Sequence, residues 1–213
     1  MPSISPAIRR GYSKTVLVLP ASRHSPHWAR RLIVRFQRTN MFNALLAVGT
    51  LFLLIGLIIM VVAWLTDNPI AAWVAAHASI ILRVIFAGAV IGSLVYSNYF
   101  GYAPCLLCWY QRLCIFPIAI LLFTADIRKN ALLQRQIVLL SSAGFLIAII
   151  HNIETMFPNS GLNVCGTSGV SCLNLYVNQF GFVTIPLMSA IILLSGILIT
   201  GLVIRYPHRS VAK

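Results

Sequence analysis

The chain alternates between long apolar runs and short polar connections. The runs are Ala44–Leu65, Ser79–Ser97, Leu106–Phe123, Ile137–Ile153 and Phe182–Ile204. A helix needs about 20 mainly apolar residues to cross a hydrocarbon core of about 30 Å. The runs are nearly uncharged: the second contains Arg83, the third Arg112, and the fourth only His151 as a titratable group. The pattern predicts an all-α membrane protein, a four-helix transmembrane bundle with an additional N-terminal hydrophobic segment.

The apolar runs divide the chain into four regions. We expect a basic N-terminal tail over 1–40 that is disordered or not translated, and an extra hydrophobic segment with a connector over 41–78. The four-helix core follows over 79–204, and a basic cytoplasmic tail over 205–213. Apolar residues make up 59% of the chain and charged residues 9%, whereas soluble domains carry about 25% charged residues. The composition therefore excludes an ordinary soluble globule.

The net charge of +13 raises the question of a nucleic-acid partner. Half of the 16 basic residues lie in the first 40 positions: Arg9, Arg10, Lys14, Arg23, Arg30, Arg31, Arg35 and Arg38. Most others lie in short connections between apolar runs, as expected of loops held against a membrane surface. A basic groove with interleaved aromatic residues is not present in the sequence. We therefore predict contact with membrane lipid and no nucleic acid.

Loop charges predict the orientation of the core. The 126–136 connection and the C-terminal tail carry basic residues, which by the positive-inside rule belong in the cytoplasm: Arg128, Lys129, Arg135, Arg205, Arg209 and Lys213. The 98–104 and 154–181 connections contain no Lys or Arg, which places them outside. The first connection directly precedes Cys105 and the second contains Cys165 and Cys172, so we expect both pairs on the extracytoplasmic side of the cytoplasmic membrane.

The N-terminal segment does not fit this orientation. If 44–65 spans the membrane, it begins outside and brings eight basic residues with it. Three explanations are open: the segment lies in or re-enters the membrane, the basic tail is translocated, or translation begins at Met41. The third is favoured because it removes all eight charges.

The first cysteine pair, Cys105 and Cys108, has the spacing of a redox-active pair. Pro104 precedes it and suits the start of a helix, where free N–H groups and the helix dipole lower a thiol pKa. Arg112 follows Cys108 by four residues, so its guanidinium can reach back and favour a thiolate there. The alternatives are a zinc site, two unrelated core thiols, and an arginine that only extends to the membrane surface. We predict no metal, because zinc sites usually add a second close pair of ligands, whereas the second pair here is spaced by six residues and its loop offers no histidine close to either pair.

The second pair, Cys165 and Cys172, is separated by six residues rich in glycine and serine. Such a loop can close into a disulfide and present it to a partner protein. A static disulfide is the alternative, but a CxxC pair on the same membrane face favours electron relay. Cys114 lies among apolar residues and indicates packing. His151 is expected either to hydrogen-bond a quinone carbonyl or leaving thiolate, or to face water at the interface.

The stretch Gly101-Tyr-Ala-Pro-Cys-Leu-Leu-Cys-Trp-Tyr-Gln-Arg112 resembles the CxxC–aromatic–Tyr–x–Arg element of the DsbB/BdbC disulfide-bond-formation family. The stretch from Cys165 to Pro186 looks like the second cysteine pair and following helix start of its short members. The resemblance covers about 79–204, and the segment 1–78 departs from the short family pattern.

The resemblance implies a quinone-dependent protein thiol-disulfide oxidoreductase. Cys105 and Cys108 match the pair reoxidised by quinone, with Cys108 next to the quinone ring, and Arg112 matches the arginine that supports quinone binding and the thiolate. His151 approximately matches a histidine near the quinone. Ubiquinone and menaquinone remain equally open as the acceptor.

The resemblance also implies a protein partner. Cys165 and Cys172 match the loop pair that exchanges with a DsbA-like thioredoxin-fold dithiol protein, with Cys165 the expected point of mixed-disulfide formation. A vitamin K epoxide reductase-like enzyme is an alternative, but in that family the loop cysteines precede the CxxC. A non-catalytic membrane subunit stapled by disulfides is another. A transporter is disfavoured because the spans offer almost no polar residues at mid-membrane.

Overall fold

The computed structural model describes residues 27–157, 172 and 176–206, and of 27–38 only the helical backbone. Its elements in chain order are α1 (His27–Leu65), α2 (Pro69–Leu94) with a π-helical turn (Val95–Tyr99), α3 (Leu106–Thr124), α4 (Ala131–Met156), β1 (Asn178–Gln179), β2 (Val183–Thr184) and α5 (Ile185–Arg205). The chain divides into two compact units, Met1–Arg38 and Thr39–Lys213. All that follows concerns the second unit.

Among the described residues, five helical stretches are long and apolar enough to cross a membrane: Thr39–Leu65, Pro69–Tyr99, Leu106–Thr124, Ala131–Met156 and Ile185–Arg205. The last four pack as a bundle in which α2 and α4 each contact both α3 and α5. The prediction of an all-α membrane protein, a four-helix bundle with an additional hydrophobic segment, is confirmed.

The second helix begins ten residues earlier than the predicted Ser79. Asn68 caps it by accepting a backbone N–H at 3.1 Å, and Pro69 occupies the first turn, where a missing N–H costs nothing. Hydropathy underestimates the added turns because their buried face is made of small alanines: Ala71, Ala75 and Ala78. The predicted connector up to residue 78 was therefore too long, and α1 is followed by only three residues before α2 begins.

Small residues let the core helices approach closely. A Cβ added to Gly144 of α4 would lie 2.9 Å from both the Cys114 Cβ and a Leu193 methyl, too close for real atoms. A Cβ on Gly196 of α5 would collide with Ser141 and Phe86. Cys114 is thus buried where α3, α4 and α5 meet, as its apolar surroundings indicated.

The two ends of the bundle differ in chemistry. The end where α2 finishes, α3 begins, α4 finishes and α5 begins carries the cysteines, and we call it the cysteine end. At the opposite end Arg205 pairs with Asp67 at 2.9 Å, and Arg128 pairs with Asp126 at 3.0 Å. The Asp126 carboxyl has its pKa lowered, first by the hydrogen bond from Arg128. The described basic connections therefore lie opposite the cysteines, as the loop charges predicted.

Within the second unit, α1 runs from the cysteine end to the opposite end. Residues 44–65 are thus an antiparallel neighbour of α2. Phe42 packs edge-on against Tyr96 near the cysteine end, with ring centroids 5.5 Å apart. Near the other end Leu57 and Met60 join the main apolar cluster of the bundle.

Candidate functional site

Cys105 and Cys108 occupy the first turn of α3. Cys105 is the N-cap, with extended backbone angles, and its Sγ accepts the backbone N–H of Cys108 at 3.4 Å. The two sulfurs are 2.9 Å apart, too far for a bond of about 2.05 Å, and both thiols are free. Pro104 lies just before the cap rather than within the helix. The structure thus shows the pair reduced and in contact.

The first turn of α3 favours a thiolate on Cys105. Hydrogen bonding from the Cys108 thiol, helped by the His151 ring and the Cys108 N–H, lowers the pKa of Cys105 to about 4 against the opposing effect of burial. A sulfur at a helix N-cap also faces the positive end of the helix dipole. The sequence analysis expected the helix start to lower a thiol pKa, and it expected a thiolate on Cys108 because Arg112 follows that residue by four positions. The N-cap geometry reverses that order within the reduced pair.

His151 connects Cys105 to two further polar side chains. Its Nε2 lies 3.8 Å from the Cys105 Sγ, and its Nδ1 lies 3.2 Å from Nε2 of Gln111. The Ser189 hydroxyl of α5 lies 2.7 Å from Oε1 of the same Gln111. His151 is 3% exposed, so the alternative of an interfacial histidine facing water is wrong. A chain of hydrogen bonds therefore leads from Ser189 of α5 through Gln111 of α3 to His151 of α4 and ends at the Cys105 sulfur.

Arg112 is held against α2. One terminal nitrogen donates to the Ser93 carbonyl at 3.0 Å and to the Ser97 hydroxyl, and the guanidinium lies 5.5 Å from the Trp109 ring centroid. The described residues show no hydrogen bond from Arg112 to either sulfur, although its charge attracts both. Arg112 thus acts on the cysteines through its field, and not by the direct contact that the spacing predicted.

Cys172 lies beside the CxxC pair. It is disulfide-bonded, is 4% exposed, and belongs to one apolar cluster with Cys105 and Leu107. Cys165, its predicted partner, lies outside the described residues. The described member of the second pair is therefore packed against the first pair rather than displayed at a distance from it.

A cavity of about 650 Å³ opens from the cysteine pair into the bundle. Its polar lining gathers at one end: Tyr96, Cys105, Cys108, Gln111, Arg112, His151, Cys172 and Ser189. The rest of the wall is mainly apolar and comes from α1, α2 and α5. Ligand sites commonly have this volume and this mixture of apolar walls with a few polar groups.

One lining group has an unmet hydrogen bond. The Tyr96 hydroxyl is buried and has no hydrogen-bond partner among the described residues. A buried unpaired hydroxyl costs about 1–3 kcal/mol. Together with the Arg112 guanidinium, it supplies donors for a carbonyl oxygen in an otherwise apolar cavity, so the residues present fit a quinone.

Three potential metal ligands also meet at this site. The Cys105 and Cys108 sulfurs and a His151 ring nitrogen all lie within 4.8 Å of one another. Two cysteines and a histidine form a known three-ligand set for zinc. Both sulfurs would be unavailable to a metal whenever the pair is a disulfide. Our prediction that no metal is bound here stays a prediction.

The sequence model of the family described as "Disulfide bond formation protein DsbB" matches residues 75–204. The chain belongs to the DsbB family. It is 36% identical over 104 residues to "Disulfide bond formation protein C" of Bacillus subtilis (strain 168), covering 48% of this chain and 75% of the relative. It is 34% identical over 124 residues to "Probable disulfide formation protein" of Oceanobacillus iheyensis, covering 57% and 84%. No solved structure gives a significant match.

Membership in the DsbB family confirms the resemblance carried by Gly101–Arg112. Sequence reasoning missed Gln111, Ser189 and Tyr96 as site residues. The signal was present for Gln111, which is the one amide in a helix start otherwise made of thiols, aromatics and leucines. For Tyr96 and Ser189 there was none, because only the packed structure turns them toward the cavity.

Proposed function

We propose that this chain reoxidises a DsbA-like thioredoxin-fold dithiol protein and passes the electrons to a membrane quinone, in the cytoplasmic membrane with both cysteine pairs outside. The coarser part, disulfide bond formation at a membrane by thiol-disulfide exchange, follows from DsbB family membership. One observation supports the finer part most. The free Cys105–Cys108 pair lies at the polar end of a mainly apolar cavity while Cys172 packs beside it.

The exchanges balance in three stages. The partner's two thiols reduce the Cys165–Cys172 disulfide, and the partner leaves with a disulfide. The loop dithiol then reduces the Cys105–Cys108 disulfide and regains its own. Finally the Cys105–Cys108 dithiol returns to a disulfide by giving up two electrons and two protons, which a quinone accepts to become a quinol. The net reaction converts one dithiol and one quinone into one disulfide and one quinol.

The thiolate at Cys105 determines how the pair opens and closes. In thiol–disulfide exchange the sulfur with the lower pKa leaves faster. Cys105 is that sulfur, since the His151 ring and the backbone N–H of Cys108 lower its pKa and remain in place while Cys108 carries the mixed disulfide. Reduction of the Cys105–Cys108 disulfide by the loop thiols is therefore favoured with Cys105 as the leaving group. Cys108 also lines the cavity, so the family role expected for it next to the quinone stays compatible with this order.

Gln111 can hold the His151 ring in either of two tautomers. With the Ser189 hydroxyl donating to Gln111 Oε1, the amide N–H donates to His151 Nδ1, and the ring proton is at Nε2 facing Cys105. Ser189 also has the Pro186 carbonyl within 2.9 Å. If the hydroxyl donates there, the amide can turn over, and Oε1 then accepts a proton on Nδ1. The hydrogen-bonded residues Ser189, Gln111 and His151 can thus give a proton to Cys105 or accept one from it while all their hydrogen bonds are kept.

Arg112 and Tyr96 are the residues that would hold the acceptor. Arg112 has five N–H donors, and the bonds to Ser93 and Ser97 use one of its terminal nitrogens. Its charge offsets the thiolate in a poorly solvated site, where unpaired charge is costly. Tyr96 adds a neutral donor that is buried without a partner among the described residues.

The test is a reconstituted assay with purified full-length protein, a reduced thioredoxin-fold partner and a quinone analogue. We expect one quinone consumed per partner disulfide formed. Cys108→Ala should abolish quinone reduction, and Cys172→Ala should trap a mixed disulfide with the partner. Cys114→Ala is the matched control, because Cys114 is a free buried cysteine outside the cavity lining, and it should retain turnover.

The same assay separates the alternatives. A non-catalytic subunit stapled by disulfides would tolerate Cys108→Ala once folding is preserved. Absence of quinone reduction by the wild-type chain with a fully reduced partner would refute the proposal. Comparing ubiquinone with menaquinone analogues then identifies the acceptor.

A further inference from the structure

Helix α1 contributes to the cavity although it lies outside the region matched by the family. The match begins at residue 75, whereas α1 ends at Leu65. Its cavity-lining residues recur every three or four positions, which places them on one helix face: Leu45, Leu46, Gly49, Thr50, Phe52 and Leu53. The cavity beside the cysteines is therefore walled in part by a helix that the shared core does not provide.

The way α1 meets the bundle leaves room between them. Near the cysteine end Phe42 packs on Tyr96, and Leu46 approaches Gly92, where a Cβ would lie 3.6 Å from the leucine methyl. Near the other end Leu57 belongs to the main apolar cluster. Between these contacts a Cβ on Gly49 would meet no atom within 4 Å. Helix α1 thus packs against the bundle along one side, where Ala47 is fully buried and Leu54 packs against the main apolar cluster, and it leaves open space beside Gly49.

The middle of the cavity is apolar and reaches the lipid-facing surface. Three of its lining side chains are largely exposed on the protein surface: Leu45 at 69%, Phe52 at 70% and Val84 at 67%. From Ser93, which holds Arg112, to Val84 is nine residues along α2, about 14 Å at 1.5 Å per residue. The cavity therefore extends from a polar end at the cysteines to an apolar mouth beside α1.

We propose that α1 forms the site for the apolar tail of the quinone and so selects acceptors by their tails. This rests on the proposed function, since the headgroup must lie near Cys108 and Arg112. The tail would run along Gly49 and Leu53 against Val84 and Gly88 of α2. Burial of apolar tail surface against these side chains contributes affinity that a tailless quinone cannot gain.

The first experiment fills the gap beside α1. In Gly49→Leu, a leucine would occupy the open space, and we expect kcat/KM for a long-tailed prenyl quinone to fall at least about tenfold relative to a tailless analogue. Gly56→Leu is the matched control. Gly56 lies two turns further on α1, also meets no atom within 4 Å of an added Cβ, and does not line the cavity. It should leave the tailed-to-tailless ratio at the wild-type value.

The outcomes distinguish the two levels of the proposal. A wild-type chain that reduces neither quinone contradicts the proposed function itself. A wild-type chain that reduces both, with an unchanged ratio in Gly49→Leu, contradicts only the role of α1. Gly49→Ala adds one methyl group to open space and serves as the milder variant if leucine prevents folding; it should shift the ratio in the same direction by a smaller factor.

A second experiment has a readout independent of turnover. A prenyl quinone carrying a photoreactive group on its tail is irradiated with the full-length protein in membranes, and labelled peptides are identified by mass spectrometry. We expect label between Leu45 and Leu53, and competition by unlabelled tailed quinone. Label confined to 69–204, or label on α1 that ordinary phospholipid displaces equally well, would overturn the assignment and indicate a lipid groove.

Discussion

Replacing Tyr96 with phenylalanine should raise the stability of the quinone-free protein and weaken its binding of the quinone acceptor. The hydroxyl is buried without a partner among the described residues, and such a group costs about 1–3 kcal/mol. The ring packing survives the change, because Tyr102 stacks on the Tyr96 ring at 5.7 Å between centroids and Phe42 packs edge-on against it at 5.5 Å. We therefore expect Tyr96→Phe, in the absence of quinone, to gain about 1 kcal/mol in the free energy of unfolding.

The same hydroxyl should strengthen quinone binding. A neutral hydrogen bond to a carbonyl contributes about 0.5–1.5 kcal/mol, so its loss should weaken quinone affinity by roughly two- to tenfold. The assay pairs thermal unfolding of the quinone-free protein with quinone titration of the reduced protein. Tyr110→Phe is the control, since Tyr110 is exposed and outside the cavity lining. A Tyr96→Phe protein that is less stable and binds quinone unchanged would refute the reasoning.

Four further predictions concern the cysteine site and the topology. Alkylation of the reduced Cys105 should be nearly independent of pH from 9 down to about 5 and slow only near pH 4, because its pKa is lowered to about 4 from 9.0; His151→Ala should move that midpoint upward. The same shift means that the reduced form gains stability as pH rises from about 4 to 9 and loses it as pH falls through 4. Gln111→Leu should lower turnover about tenfold and change its pH profile, because buried His151 and Ser189 each lose a partner; an unchanged profile would argue for a purely structural role. Zinc should protect the reduced pair from alkylation while a chelator leaves quinone reduction intact; activity lost to the chelator would instead indicate a resident metal. A reporter fused at residue 70 should be cytoplasmic if all five helices span, and an extracytoplasmic signal would contradict that topology.

The fold was predictable where long apolar runs and loop charges carry it. Four core spans follow from lipid length matching, and the placement of Lys and Arg at the end opposite the cysteines follows from the positive-inside rule. The start of α2 did not follow, because Ala71, Ala75 and Ala78 score weakly in hydropathy yet pack well against the core. A hydropathy profile therefore does not locate a helix end whose buried residues are small.

The sequence predicts which residues belong to the candidate site, but it does not predict which of them contact each other. The spacing of Cys105 and Cys108 predicted a redox pair, but the position of the thiolate depends on the N-cap and on His151, 46 positions further along the chain. Arg112 was expected to reach a sulfur, whereas the Ser93 carbonyl of α2 holds it. Long-range partners of this kind require the packing of three helices, which one sequence does not specify by pattern alone.

The position of α1 relates the membrane topology to the structure of the cavity. To wall the cavity, the part of α1 from Thr39 onward must begin at the cysteine end, which the loop charges predict to lie outside. The positive-inside rule disfavours this orientation, because eight basic residues precede Thr39 in the sequence. Every α1 residue that lines the cavity lies after Met41. The cavity therefore requires only the part of α1 that follows Met41. The reporter fusion and the photolabelling together decide between a helix that spans the membrane and walls the cavity and a helix that does neither.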